Sequence, residues 1–350
     1  MKNSKKQKKL KSKILLLFIT IIMFGTSTYA WFTANQTVTI SSLDVHVEAS
    51  NGLQISTDGV TWKTVITNED ITSHSYTNNR NQVPSLLNAV STAGAVDLVA
   101  SSDNYGYMKM YKGNISSDQV TGNYTITSTA SPEAQGTAGD YIAFDIFLKV
   151  DKDETIYLTK NSNVNHKDTL GQDNSVINDE DKGLKNTARV AFVLKGHADA
   201  DDPIGTITGA SDLLGSANSV KIWEPNADIH TSSALTIASE YGIKNASNST
   251  LTNGDMISYY GLNNTFGVQD LKDTVKGAQN TNTSLISNTI KTTGAPTEQN
   301  PRTNLQIMSL EDGITKVRVY MWIEGQDIDC ENNASGTDIS YNVILSTLAS

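Results

Sequence analysis

Six segments of this chain read as strands, and apolar and polar residues alternate with a period of two through most of them: 140–150 (DYIAFDIFLKV), 154–160 (ETIYLTK), 187–196 (TARVAFVLKG), 219–223 (SVKIW), 315–325 (TKVRVYMWIEG) and 338–347 (DISYNVILST). In VRVYMW, Val317, Val319 and Met321 point one way and Arg318, Tyr320 and Trp322 the other. Successive side chains of a strand leave opposite faces, so the pattern predicts antiparallel sheets with one face on a core.

Another strand is predicted over 37–49 (TVTISSLDVHVEA), where the register of Val38 and Ile40 gives way to that of Leu43, Val45 and Val47. The change falls at Ser41 and Ser42 and predicts a bulge or bend. Over 53–66, Asp58-Gly59 lies between two β-rich runs and predicts a hairpin, because Asp and Gly tolerate the positive φ of a tight turn. This stretch is similar to the S-x-D-x-G-x-T-W box of sialidase propellers, but its residues are one position too close and it occurs once. Trp62 is therefore read as packing rather than as sugar binding. Helical spacing is scarce, with 83–91 (VPSLLNAVS) and 268–277 (VQDLKDTVKG) the best candidates.

Asn, Ser, Thr and Gly dominate 199–302, which reads as a polar insertion and not as a second core. The expected fold is all-β: a β-sandwich begun by 31–198, interrupted by the loop-rich insertion with one or two short helices, and closed by the strands of 303–350. No internal repeat points to a propeller or solenoid. The single cysteine, Cys330, cannot form an internal disulfide, so stability must come from the core or from assembly.

The N-terminus reads as an export signal over 1–30, with seven lysines and no acid in the first thirteen residues, then the apolar run 14–24 (ILLLFITIIMF). Eleven helical residues reach about 16 Å and cannot cross roughly 30 Å of hydrocarbon; extension to Phe32 would nearly do so. Thr28 and Ala30 form a T-Y-A site before Trp31, so cleavage after Ala30 is expected, with retention as a membrane anchor the alternative. In both cases the rest of the chain is expected outside the cell, secreted or on its surface.

Without those seven lysines, 20 basic residues face 37 acidic ones. Such a balance argues against nucleic acid and anionic lipid as partners, which need a basic face. The five histidines, His46, His74, His166, His197 and His230, are dispersed, and there is no H-E-x-x-H, no G-x-S-x-G and no activating context around Cys330. An enzyme is not expected, and neither a catalytic residue nor a metal ligand is assigned. Acidic runs at 151–154, 178–183, 199–202 and 327–331 could supply oxygens to calcium, the one cofactor the composition admits, although none fits an EF-hand. A solvated turn is the simpler reading of each.

Gly25, Thr28, Tyr29, Ala30 and Phe32, followed by the strand containing Leu43 and Asp44, resemble the export junction of proteins processed by the dedicated signal peptidase SipW in Gram-positive bacteria, a group that includes the TasA matrix fibre protein and camelysin. The resemblance covers about the first fifty residues; the remainder shares only a general pattern. It implies a jelly-roll sandwich and head-to-tail fibres in which an N-terminal strand completes the sheet of the next subunit. The donor segment would be 34–47, with Ala34, Val38, Ile40, Leu43, Val45 and Val47 as its apolar positions. The expected role is an exported structural or adhesive subunit of surface or biofilm matrix, with signal peptidase, further copies of itself and wall or matrix components as partners. The alternative is a carbohydrate- or ligand-binding module using Trp62, Tyr105, Tyr107, Trp223 or Trp322.

Overall fold

The computed structural model describes residues 37–48, 52–73, 76–117, 124–167, 185–211, 219–225, 230–232, 234, 263–266, 289–291, 302–327, 329–330 and 338–349. Thr28, Ala30, Trp31 and Ala34, the helix expected over 268–277 and the acidic run 178–183 lie outside them. Among the described residues, no helix is long and apolar enough to cross a membrane.

Among the described residues the fold is mostly β, with two sheets and two helices of six residues, α1 (Asn68–Ser73) and α2 (Ile204–Gly209). The larger sheet contains two runs of strands. One orders β2 (Gln54–Ser56), β7 (Ile142–Val150), β15 (Gly313–Glu324), β10 (Ala188–Ala198), β11 (Val220–Glu224) and β13 (Thr289–Lys291). The other orders β3 (Val65–Thr67), β1 (Thr37–Val47), β16 (Asp338–Ser346), β8 (Glu154–Leu158) and β14 (Leu305–Leu310), with β9 (Asn163–Lys167) also on β16. Strand β4 (Leu86–Val90) joins the runs, pairing with β1 through Leu86, Leu87 and Asn88 and with β15 through Ala89 and Val90. The second sheet holds β5 (Tyr111–Ser117), β6 (Tyr124–Ala130) and β12 (Asn263–Phe266).

All six predicted segments form strands, and the bulge expected in β1 is present as a register shift between Ile40 and Ser42. One of them, β11, lies within 199–302 and is a core strand with Ile222 and Trp223 fully buried. Two expectations about helix and pairing need correction. The 83–91 segment is not a helix: its apolar residues satisfy either period, and β4 gains ladder partners on both runs. The sheets are not wholly antiparallel, since β1 with β16, β11 with β13 and β4 with β15 are parallel pairs.

One apolar cluster draws on both runs, bringing Leu43, Val45 and Val47 of β1 together with Val317, Val319 and Met321 of β15 and Val343 of β16. β15 departs from the one-sided pattern, because Arg318, Tyr320 and Trp322 on its other face are also buried. Met108 and Met110 from a preceding loop, with Tyr141, Val220 and Ile222, form a second cluster over that face. Strand β15 is thus covered on both sides, and its polar side chains must find partners inside the protein.

The tight hairpin expected at Asp58 is not formed: β2 pairs with β7 and β3 with β1, and the chain closes on itself only at an Ile55–Lys63 bridge around a turn built from side chains. Ser56 Oγ donates to Asp58 Oδ1, while Asp58 Oδ1 accepts the backbone N–H groups of Val60 and Thr61 at 2.8 and 2.7 Å. Gly59 takes φ +74°, as the turn requires. Trp62 is half-buried against the cluster of Phe147, Ala198, Ile207 and Ile314.

Candidate metal centre

Two buried arginines sit on the covered face of the β15 run, and each organises a separate group of polar residues. On β15, Arg318 lies opposite Asp145 of β7 in register. Its Nη1 donates to Asp145 Oδ1 at 2.9 Å and its Nη2 to Glu133 Oε2 at 2.6 Å, with Nε held by Glu133 Oε1 at 3.0 Å. Tyr320 Oη donates to Glu133, and Tyr76 Oη to Asp145. Burial opposes the ionised form of Asp145, but Arg318 and then Lys316 more than offset it and bring its carboxyl down to about 2. Beside them, Lys195 donates to the Gly106 carbonyl at 2.7 Å and lies over the Tyr107 ring, and burial lowers its ammonium to about 8. Here cations and carboxylates answer one another, and the group reads as a sealed structural network.

The second group is differently balanced. Arg189 of β10 donates from Nη2 to Glu224 Oε1 of β11 at 2.8 Å and to Asp327 Oδ2 at 2.6 Å. Its Nη1 donates to the backbone carbonyls of Asn186 and Ala188. Asp327 and Asp329 follow the end of β15, where a turn returns the Cys330 N–H to the Asp327 carbonyl. The backbone N–H of Asp329 donates to Asp327 Oδ1 at 2.9 Å, which fixes the Asp327 carboxylate against the Asp329 main chain. His230 arrives from a distant part of the sequence, its Nδ1 lying 2.7 Å from Asp329 Oδ2, and Thr231 N–H donates to Asp329 Oδ1 at 2.9 Å. One nitrogen of His230 and one oxygen each of Asp327 and Asp329 lie within 4.8 Å of one another, so this buried His/Asp/Asp cluster can coordinate a metal ion.

Its electrostatics are set first by burial. Burial raises the Asp329 carboxyl, with neighbouring Asp327 adding to the effect; burial would lower His230, but its hydrogen bond to Asp329 and the charge of Asp327 hold it above the ordinary imidazole value. Glu324, buried nearby with its carboxylate on the Trp322 indole and the Gln326 N–H, is pushed up to about 7 by burial. All three directions favour bound protons.

The chain matches no family model, no curated protein and no solved structure. Function must therefore be argued from the residues themselves.

Of the donor positions predicted from sequence, Val38 and Ile40 lie in the paired part of β1, and Leu43, Val45 and Val47 are buried. Of the aromatics considered for ligand binding, Trp223 and Trp322 are fully buried, and Tyr107 is half-buried with Arg80, Lys195 and Arg318 against its ring. Tyr105 is exposed and follows Asn104, which with Asp97, Val99, Met108, Lys109 and Met110 lines a cavity of about 360 Å³ that Tyr105 itself does not line. The acidic runs at 151–154 and 199–202 close as turns: Asp153 accepts the Asp312 N–H, and Asp202 accepts the Asp199 N–H. Among the described runs, only 327–331 contributes to the cluster. His230 gave no sequence signal, because it lies about a hundred residues from its acidic partners.

Proposed function

We propose that this chain is an exported, non-enzymatic structural or adhesive subunit of a cell surface or extracellular matrix. In this reading the two runs of the large sheet are the layers of a jelly-roll-like sandwich, and the chain belongs with the SipW-processed exported proteins that its junction resembles. Signal peptidase would act on it once, and further copies and matrix components would be its lasting partners.

The observation that carries the reading is the position of β1, the first strand after the junction. It pairs with β16 over eight register positions, and its other edge meets β4 and then β3. Withdrawing it would open the edges of these strands and empty the core slots of Leu43, Val45 and Val47. An open edge of this kind accepts an added strand, and the same strand from a second copy fits by construction. Self-complementation and donation to a neighbour therefore use one set of contacts, which is the condition for strand exchange.

The test uses protein starting at Trp31. Filaments in electron microscopy, together with uptake of a 34–48 peptide by protein lacking β1, are the expected results. A monomer that persists at high concentration and an inability to accept the peptide would sink the fibre reading.

The cavity beside Tyr105 favours a second reading, a module that binds a small polar ligand there; a glycan array without hits would count against the carbohydrate version. Calcium is the ion predicted from the acidic runs, of which 327–331 reaches the buried His/Asp/Asp cluster. A melting temperature indifferent to EDTA and to millimolar calcium would remove that ion.

A further inference from the structure

The acidic residues of the Arg189 group do not stand alone as evidence of a ligand. His230 Nε2 and Asn186 Oδ1 are both buried without a hydrogen-bond partner. The His230 side chain is 1% exposed, and Asn186 is 2% exposed. Asn186 is directed into the cluster, since its Nδ2 lies 3.3 Å from Asp329 Oδ2. The contacts to the cluster run through the other atom of each group, Nδ1 of His230 and Nδ2 of Asn186. A metal ion at Nδ1 would share the two carboxylates, and exchanging the ends of the Asn186 amide would turn its unsatisfied oxygen toward them.

Charge points the same way. Among the described residues, Arg189 is the cation paired with Asp327, and with a neutral imidazole the Asp327 and Asp329 carboxylates lie side by side out of solvent. A divalent cation between them offsets their charge. Arg189 does not take its place, because the guanidinium uses one lone pair of Asp327 and a carboxylate offers about four. Hydrogen bonds from Arg189, the Asp329 N–H and the Thr231 N–H to the carboxylates are the outer contacts that orient metal-binding oxygens.

The donor types select the ion. Calcium takes shells of six to eight oxygens, whereas imidazole nitrogen suits zinc and its first-row neighbours. We propose that His230, Asp327 and Asp329, with the Asn186 amide oxygen beside them, bind a divalent first-row transition ion, best represented by Zn²⁺, and that this ion fastens the loop carrying His230 to the end of β15.

This proposal does not depend on fibre assembly. The exported protein is stripped with chelator, dialysed against zinc, manganese or calcium in turn, and assayed for bound metal and melting temperature. One zinc per chain is expected, with a rise of several degrees that EDTA reverses and a stronger effect than calcium gives. Cobalt(II) loading provides a readout in the unmodified protein: visible absorption from a nitrogen- and oxygen-ligated ion is expected, and it should change in His230→Gln. Asp329→Asn should lower zinc affinity at least tenfold. Calcium binding in preference to zinc would overturn the choice of ion. Failure of zinc and cobalt to bind the folded wild-type protein would overturn the site and leave protons as the balancing charge.

Discussion

Arg318 and Asp145 face each other across β15 and β7, and their side chains meet at 2.9 Å where neither is open to solvent. Glu133 closes the other side of the same guanidinium, so Arg318 meets two acids from separate parts of the chain, with Lys316 also 3.4 Å from Asp145. Removing one member of a buried ion pair leaves its partner charged and dry, which is worse than never having built the pair. Arg318→Met is expected to lose about 3–5 kcal/mol of stability, measured by urea unfolding. Combining it with Glu133→Gln and Asp145→Asn should recover much of that loss. Equal instability of the single and triple variants would mean that lost packing, not unpaired charge, is responsible.

Acid should release the same network. The Asp145 carboxyl stands at about 2 in the folded protein, below its ordinary value, so the unfolded chain binds a proton more readily. Its contribution, about 2 kcal/mol, is full above pH ~4 and is lost as pH falls through about 2. Urea midpoints of the wild type and Asp145→Asn should therefore converge over that interval. A constant gap across it would contradict the assignment.

Lys195 should respond in the opposite range. Burial holds its ammonium near 8, so between that value and the ordinary lysine value near 10.4 the unfolded chain carries more protons. Stability attributable to this group rises with pH across the window. The wild type should gain on Lys195→Met from about pH 8 to about 10.5, provided that unfolding remains reversible. Parallel pH profiles for the two proteins would place Lys195 in contact with water.

At the start of β15, Gly313 has φ +121°, and a Cβ built there would come within 2.7 Å of the Ala198 backbone carbonyl. Both the backbone conformation and the space exclude a side chain, and the obstructing atom is main chain. Gly313→Ala is expected to cost about 1–3 kcal/mol, read as a lower urea midpoint. An unchanged midpoint would show that the β10 to β15 contact relaxes easily.

Much of the strand content was legible because a pleated strand imposes its period directly on the chain. The segments that became β7, β8, β10, β11, β15 and β16 read as strands, and the bulge in β1 shows as a break in alternation. The 83–91 segment was not legible, since Leu86, Leu87 and Val90 suit a helix as well as a strand. Only the edges of β1 and β15 decide for the strand. Half of the candidate centre could be glimpsed, as Asp327 and Asp329 sit in a visible acidic run. His230 and Arg189 could not be linked to them, because nothing local marks a residue whose partners lie about a hundred positions away.

By itself the sequence determined which residues alternate, and therefore which side chains share a face of a strand; it also set the acidic balance and the form of the N-terminal segment. It placed Arg318, Tyr320 and Trp322 together on one side of β15. Whether that side met water was decided only by the tertiary structure, which laid Met108, Met110 and the Glu133 loop across it. The physical reason is that strand period is a property of neighbouring residues, whereas burial depends on what a distant segment covers. A charge that reads as solvated along the chain becomes a demand for a partner once it is covered.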